Sequence, residues 1–380
     1  MPPSQTIWTG LVVAIIGFFS SFPIVLAGLD AMGATTVEAG SGLMFAALSM
    51  GLSGILLSLI TRQPASVAWS TPGVALLAVS PAVEGGFAGA VAGFLIAGLL
   101  TLIAGLWRPL GRLATSIPPA VAQAMLAGVL LSLCVQPFLA LSEAPQIAVP
   151  IIATWFIVGR FSRLFAVPAA VLMAAILIAV LGDRSGLEDL RLVSAPVVTL
   201  PIFSVEALLG VGLPLFIVTM ATQNIPGLAV MRSYGYTPPP RTLLSGVGAA
   251  SILTATLGAP ATCLAAITAA MCSDEDSHPD PSKRYWSAVC AGAFYCLFGL
   301  FAALLTSLAA LAPDMLLATV AGVALLGTFA NSASAALSDA GMRDAAAITF
   351  LATASGVTLF GLSAAVIGLL LGVGVTLAKR

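Results

Sequence analysis

Charge is scarce in this chain. Its 380 residues include 14 Lys or Arg, 15 Asp or Glu and a single histidine, against 59% hydrophobic residues. Soluble domains carry about 25% charged residues; at 8% charged, no water-soluble fold of this length could cover its surface. The mean hydropathy of +1.10 gives the same answer: a bilayer must solvate most of the molecule. A net charge of −1 supplies no basic face for nucleic acid. The five cysteines (Cys134, Cys263, Cys272, Cys290, Cys296) form no CxxC pair, which excludes a disulfide framework and a thiolate metal site. With His278 the only histidine, no Ser/His/Asp set can be assembled at membrane depth. Asp274, Glu275, Asp276, His278 and Asp280 cluster, but lack the glycine and terminal glutamate of a calcium loop, and read as a solvated cytoplasmic loop. No enzyme chemistry, metal or cofactor is therefore expected.

Apolar sequence is what the chain has, in runs long enough to cross a bilayer. A spanning helix needs roughly 20 apolar residues, fewer if it is broken. Spans are expected near 7–29, 37–60, 66–81, 85–106, 117–138, 145–159, 166–182, 205–231, 242–257, 262–273, 285–309, 313–331, 343–359 and 361–378, fourteen in all. Met1–Trp8 has no basic n-region and no A-x-A site behind it, so the first run is read as a retained span. With both termini inside, the cytoplasmic side receives Arg62, Arg108, Arg112, Arg160, Arg163, Arg232, Arg241, Lys283, Arg284, Arg343, Lys379 and Arg380; only Arg184 and Arg191 fall outside. That asymmetry is what the positive-inside rule demands.

The polar segment 182–191 divides the spans seven and seven, which puts the two halves in opposite orientations, the inverted-repeat plan of secondary transporters. The expected fold is therefore an all-α integral membrane protein with repeats at 1–182 and 201–380. Matching positions carry matching breaks. Ser20-Ser21-Phe22-Pro23 in span 1 corresponds to Gln223-Asn224-Ile225-Pro226 in span 8. The third and tenth spans both open on short, Pro-led, Ser/Thr-dotted stretches, from Gln63 and from Ala259. Irregular backbone at this depth is tolerated only where protein buries it or where it lines a cavity. A strand followed by a half-helix aims unsatisfied N–H groups and a positive dipole end at that cavity, a setting that favours an anion. No Lys or Arg lies in the core of any span, so those helix ends are the source of positive potential there.

Ala68-Trp69-Ser70-Thr71-Pro72-Gly73, Thr222-Gln223-Asn224-Ile225-Pro226-Gly227-Leu228-Ala229-Val230, Ala265-Ala266-Ile267-Thr268-Ala269-Ala270 and Gly327-Thr328-Phe329-Ala330 carry a family resemblance. Over nearly its whole length the chain resembles the benzoate transporter (BenE) family, relatives of the purine/uracil permeases. The resemblance implies a core domain, 1–110 plus 205–309, and a gate domain, 111–182 plus 310–380. It implies proton-coupled uptake of benzoate or a close aromatic carboxylate across a bacterial inner membrane, and it allows a homodimer. By position, Trp69 matches the substrate-stacking aromatic residue of uracil-type relatives, while Gln223 and Ala266 stand where those relatives keep carboxylates. Losing both acids suits an anionic substrate and removes the obvious proton carrier.

Each candidate has a structural alternative. Gln223 and Asn224 either contact ligand or bond neighbouring helices. Ser70, Thr71 and Thr262 either bond ligand or cap the half-helices. Trp69 is a ligand wall or an interfacial belt residue; Ser20 and Ser21 mirror the two amides. Backbone N–H groups near Gly73, Ala265, Ala266 and Ile267 are the expected carboxylate seat. Asp339 and Asp344, flanking spans 12 and 13, read as loop charges and are the first carboxylates to test for proton coupling. Gly85, Gly89 and Gly93, and Gly368 with Gly372, make small-xxx-small steps that serve helix packing within the chain or a dimer face. The same fold carrying a nucleobase or an inorganic anion, a passive anion channel, and a non-transporting sensor remain as alternatives.

Overall fold

The computed structural model describes residues 2–107, 109–111, 117–182, 192–313, 315–359 and 362–378. Arg108, Arg112, Arg184, Arg191, Lys379 and Arg380, used above to orient the chain, lie outside the described residues.

The first predicted span is two helices, α1 (Ser4–Phe19) and α2 (Phe22–Ala31), parted at Ser20-Ser21 with Pro23 in the first turn of α2. Next, α3 (Thr36–Thr61) opens on a capping box: Thr35 Oγ1 accepts the Glu38 N–H at 3.3 Å while the Glu38 carboxylate accepts the Thr35 N–H at 2.9 Å. Such a cap contributes about 1 kcal/mol. Strand β1 (Val67–Trp69) then feeds the short α4 (Thr71–Val79), which has proline in its first turn. Four longer helices follow: α5 (Phe87–Leu106), α6 (Pro119–Glu143), α7 (Pro145–Phe161) and α8 (Ala166–Leu181).

The second half starts with one helix interrupted twice. Wide π turns at Ala207–Gly212 and Met220–Asn224 flank α9 (Leu213–Thr219), and α10 (Ile225–Ser233) continues it. After α11 (Pro240–Ala255), strand β2 (Thr262–Leu264) feeds α12 (Ala266–Ser273). The chain ends with α13 (Tyr285–Leu300), α14 (Ala302–Ala310), α15 (Leu316–Ser338), α16 (Arg343–Ala354) and α17 (Ala364–Ala378).

Each predicted apolar segment thus holds helix among its described residues, broken in the segments 7–29, 205–231 and 285–309 and preceded by a strand in 66–81 and 262–273. Among the described residues six helices are long and apolar enough to cross a membrane, or seven if the pair bent by 49° at Phe301 is one span. Large apolar side chains face outward, among them Phe161 at 85% exposure and Leu253 at 75%. A soluble surface would not present them in such numbers; lipid accommodates them.

Packing sorts the helices. One extended apolar cluster runs from Val13 and Phe18 through Leu43, Trp69 and Phe94 to Leu264 and Tyr295, and takes in Val121 and Leu130 of α6, Leu325 of α15 and Leu369 of α17. A separate cluster joins Ile147, Ile151, Ala170 and Ala174 to Leu316, Val320 and Val323, so it belongs wholly to α7, α8 and α15 and the residues beside them. Small residues set the closest crossings. Gly93 lies against Val211, and Gly368 and Gly372 lie against Thr353 and Thr349 of α16, so these small-residue steps serve packing inside the chain. The acidic loop is organised around Arg284, whose guanidinium donates to the Ser273 and His278 carbonyls at 2.8 and 2.6 Å.

Candidate functional site

The two breaks meet. Strands β1 and β2 pair antiparallel, with Val67 opposite Leu264, Ala68 opposite Cys263 and Trp69 opposite Thr262. Backbone bonds extend the crossing at both ends, Ser70 N–H to Ala261 O at 2.9 Å and Ala265 N–H to Ser66 O at 3.1 Å. The Ser66 hydroxyl adds a 2.8 Å bond to Thr268 Oγ1. Residues almost two hundred positions apart are thereby joined, and α4 and α12 both start from this crossing.

Around it, most polar candidates are satisfied by protein. Ser70, fully buried, accepts the Gly73 N–H at 3.2 Å and the Thr219 hydroxyl at 2.8 Å. The N–H of Gly73 is therefore already taken, and a Cβ at Gly73 would sit 2.5 Å from Leu215 Cδ1, so this helix end is closed. Thr262 exchanges a 2.6 Å bond with Ser49, and its N–H donates to Ser251 Oγ at 2.9 Å. Asn224 Oδ1 accepts the Leu264 N–H at 2.9 Å, and its amide nitrogen reaches Met220 Sδ at 3.3 Å. The Trp69 indole N–H donates to Ser21 Oγ at 2.9 Å, and its ring packs against Phe18, centroids 5.3 Å apart. At 2% exposure Trp69 presents no open face.

The other end differs. Ala265, the residue capping α12, has no side chain that can accept, so the first N–H groups of α12 are uncapped. Ala266 is half-buried and Ile267 is 68% exposed, although both sit beside the buried crossing. Gln223 and Ser20 are half-buried on the π turn and on the α1–α2 break, and Thr71 is half-buried at the start of α4. The chemistry available is thus an uncharged, dipole-positive helix end with amide and hydroxyl groups nearby. Asp339 and Asp344 are not brought here: both are exposed in and after the turn between α15 and α16, where Asp339 Oδ1 accepts the Gly341 N–H at 2.9 Å. Thr219, Ser49 and Ser251, which hold the crossing together, were not singled out from the sequence. Hydroxyls inside apolar runs must find partners, and that was the signal available.

The family model for the benzoate membrane transport protein, BenE, matches residues 2–378. The chain belongs to the BenE family. It is a multi-pass membrane transport protein and not an enzyme. Among BenE-related proteins, the chain is 35% identical over 375 residues to the inner membrane protein YdcO of Escherichia coli strain K12, covering 97% of this chain and 94% of YdcO. It is 32% identical over 329 residues to the benzoate membrane transport protein of Acinetobacter baylyi, covering 86% and 83%. The BenE fold is also that of the transmembrane domain of a cyanobacterium bicarbonate transporter, BicA, with a TM-score of 0.64 at 18% identity over 98% of this chain and 97% of that one. Murine Slc26a9, an anion transporter in the inward-facing state, superposes with a TM-score of 0.61 at 11% identity, over 100% of this chain and 69% of that one.

Proposed function

We propose that this protein is a secondary active transporter carrying benzoate, or a similar small aromatic carboxylate, into a bacterial cell across the inner membrane together with protons. The observation that carries the reading is the uncapped start of α12 at Ala266–Ile267, set beside Gln223 at the strand crossing with no charged side chain in the arrangement. Backbone N–H groups there suit a carboxylate, and the half-buried Ala68 supplies apolar surface for a ring. The A. baylyi relative's name points to the same substrate.

Fourteen spans in two inverted repeats, with both termini cytoplasmic, is the topology this reading uses. It is supported by corresponding positions in the two halves: Ser21, at the break of the first span, accepts the indole N–H of Trp69 at the end of β1, and Asn224, at the break of the eighth, accepts the backbone N–H of Leu264 at the end of β2. A core (1–110, 205–309) moving against a gate (111–182, 310–380) is the motion this reading uses; α7, α8 and α15 of that gate hold an apolar cluster of their own.

The test is radiolabelled benzoate uptake into proteoliposomes under an inward proton gradient, with protein-free liposomes subtracted at each pH. Saturable uptake that an uncoupler abolishes and Gln223→Ala weakens is the expected result. Absence of protein-dependent uptake under any gradient would remove the substrate. Since an uncapped helix end accepts any small anion, inorganic anions are the second reading, and competition by sulfate or bicarbonate separates the two.

A further inference from the structure

A cavity of about 520 Å³ lies apart from the strand crossing, walled by the end of α5, the face of α10 and the start of α11. Its apolar walls include Leu106, Met220, Leu228 and Leu244, and two arginines, Arg232 and Arg241, line it as well. None of the crossing residues Trp69, Ser70, Gln223, Asn224 or Ile267 contributes to it. Both arginines are exposed, and among the described residues neither guanidinium has a hydrogen-bond or ion-pair partner in the protein; the one ion pair is Lys283 with Asp280.

The two arginines differ electrostatically. Arg232 sits in the last turn of α10, where a cation complements the helix dipole. Arg241 sits in the first turn of α11, where the dipole repels it. That same helix end has Pro239 in the capping position and no side-chain cap, which leaves the N–H groups of Arg241 and Thr242 without a capping side chain. An anion held between the N-terminus of α11 and the two guanidinium groups would cap that helix end and offset the repulsion of Arg241 by the dipole. Depth is set by Trp107, 58% exposed directly after α5, an aromatic of the kind enriched at the headgroup level. An anion bound at headgroup depth, over leucine-lined walls in a cavity large for a one-ring carboxylate, is attached to an apolar tail.

We propose that this cavity binds the phosphate headgroup of an anionic phospholipid, phosphate on Arg232, Arg241 and the start of α11, with the upper acyl chain on Leu106, Leu228 and Leu244. Basic pockets between spanning helices are built for such headgroups. Gly111, on the segment leading from α5 to α6, also lines the cavity.

The test is native mass spectrometry of the full chain released from nanodiscs of phosphatidylcholine with phosphatidylglycerol. Wild type is expected to retain phosphatidylglycerol in preference to phosphatidylcholine. Retention should fall by about fivefold for each guanidinium removed in Arg232→Gln, Arg241→Gln and the pair, from roughly 1 kcal/mol per basic residue near an anionic surface. Arg343→Gln, which alters an exposed arginine outside the cavity, should leave retention unchanged, and equal thermal unfolding of all variants establishes that they fold. Equal retention by the double variant, or equal retention of the two lipids, would overturn the proposal. Displacement by glycerol phosphate alone would make it a soluble-phosphate site, and displacement by benzoate a carboxylate site; either outcome overturns the lipid. The readout is binding, so it stands or falls apart from benzoate uptake.

Discussion

The Trp69 indole N–H donates to the Ser21 hydroxyl at 2.9 Å, and that hydroxyl in turn donates a hydrogen bond to the Gly17 carbonyl at 3.0 Å. A large aromatic residue on a three-residue strand is thereby tied to the gap between α1 and α2. In Ser21→Ala the indole N–H is left buried without a partner, at a cost of about 1–3 kcal/mol. Trp69→Phe removes the donor itself. The double variant is therefore expected to be more stable than the sum of the singles by on the order of 1 kcal/mol, read from denaturant unfolding of the four proteins. Strict additivity would show that the bond carries no energy.

Gln223 and Asn224 are neighbours with separate tasks. Asn224→Ala strands the buried Leu264 N–H and is expected to destabilise the protein by about 1–3 kcal/mol. Gln223→Ala removes a half-buried amide and should leave the unfolding midpoint close to wild type while lowering benzoate uptake severalfold. Measuring unfolding and uptake on both variants checks the division; a large stability loss in Gln223→Ala would assign it a structural role instead.

Two glycines five positions apart on α15 make opposite forecasts. A Cβ on Gly322 would lie 2.5 Å from Pro137 Cγ of α6, whereas one on Gly327 would meet nothing within 4 Å. Gly322→Ala must push α6 and α15 apart and should cost about 1–3 kcal/mol. Gly327→Ala is expected to be neutral or to stabilise by up to roughly 1 kcal/mol through helix propensity. Thermal unfolding of the two variants decides it.

Asp339 is exposed at the end of α15, far along the chain from either strand. Asp339→Asn and Asp344→Asn are expected to leave the pH profile of uptake unchanged, because both carboxylates are exposed at helix ends and neither takes part in the buried crossing. A profile displaced by either substitution would make that residue the proton carrier.

The breaks were legible because proline, glycine and hydroxyl residues do not sit in an apolar run without cause. Pro72 and the Ser20-Ser21 pair marked real interruptions, and the polar amides at 223–224 marked a real irregularity. What sequence could not give was the partner of each group. Ser70 reads equally as cap or ligand until Thr219 and Gly73 are seen to fill its oxygen. Asn224 finds its partner in a backbone N–H, which no residue type announces. The amides flag the segment Met220–Asn224, but not that its irregularity is a π turn. The exposure of Ile267 follows from its neighbours' packing, not from its own character.

The crossing of β1 and β2 also bears on how the molecule can be divided. Its three residue pairs draw one strand from each half of the chain. A half synthesised alone would hold a strand whose N–H and C=O groups face hydrocarbon or void, and in lipid such an edge has no substitute partner. Cut in the polar link that follows α8, the two fragments should each be unstable singly and recover the native assembly when produced together, each serving as the other's missing edge.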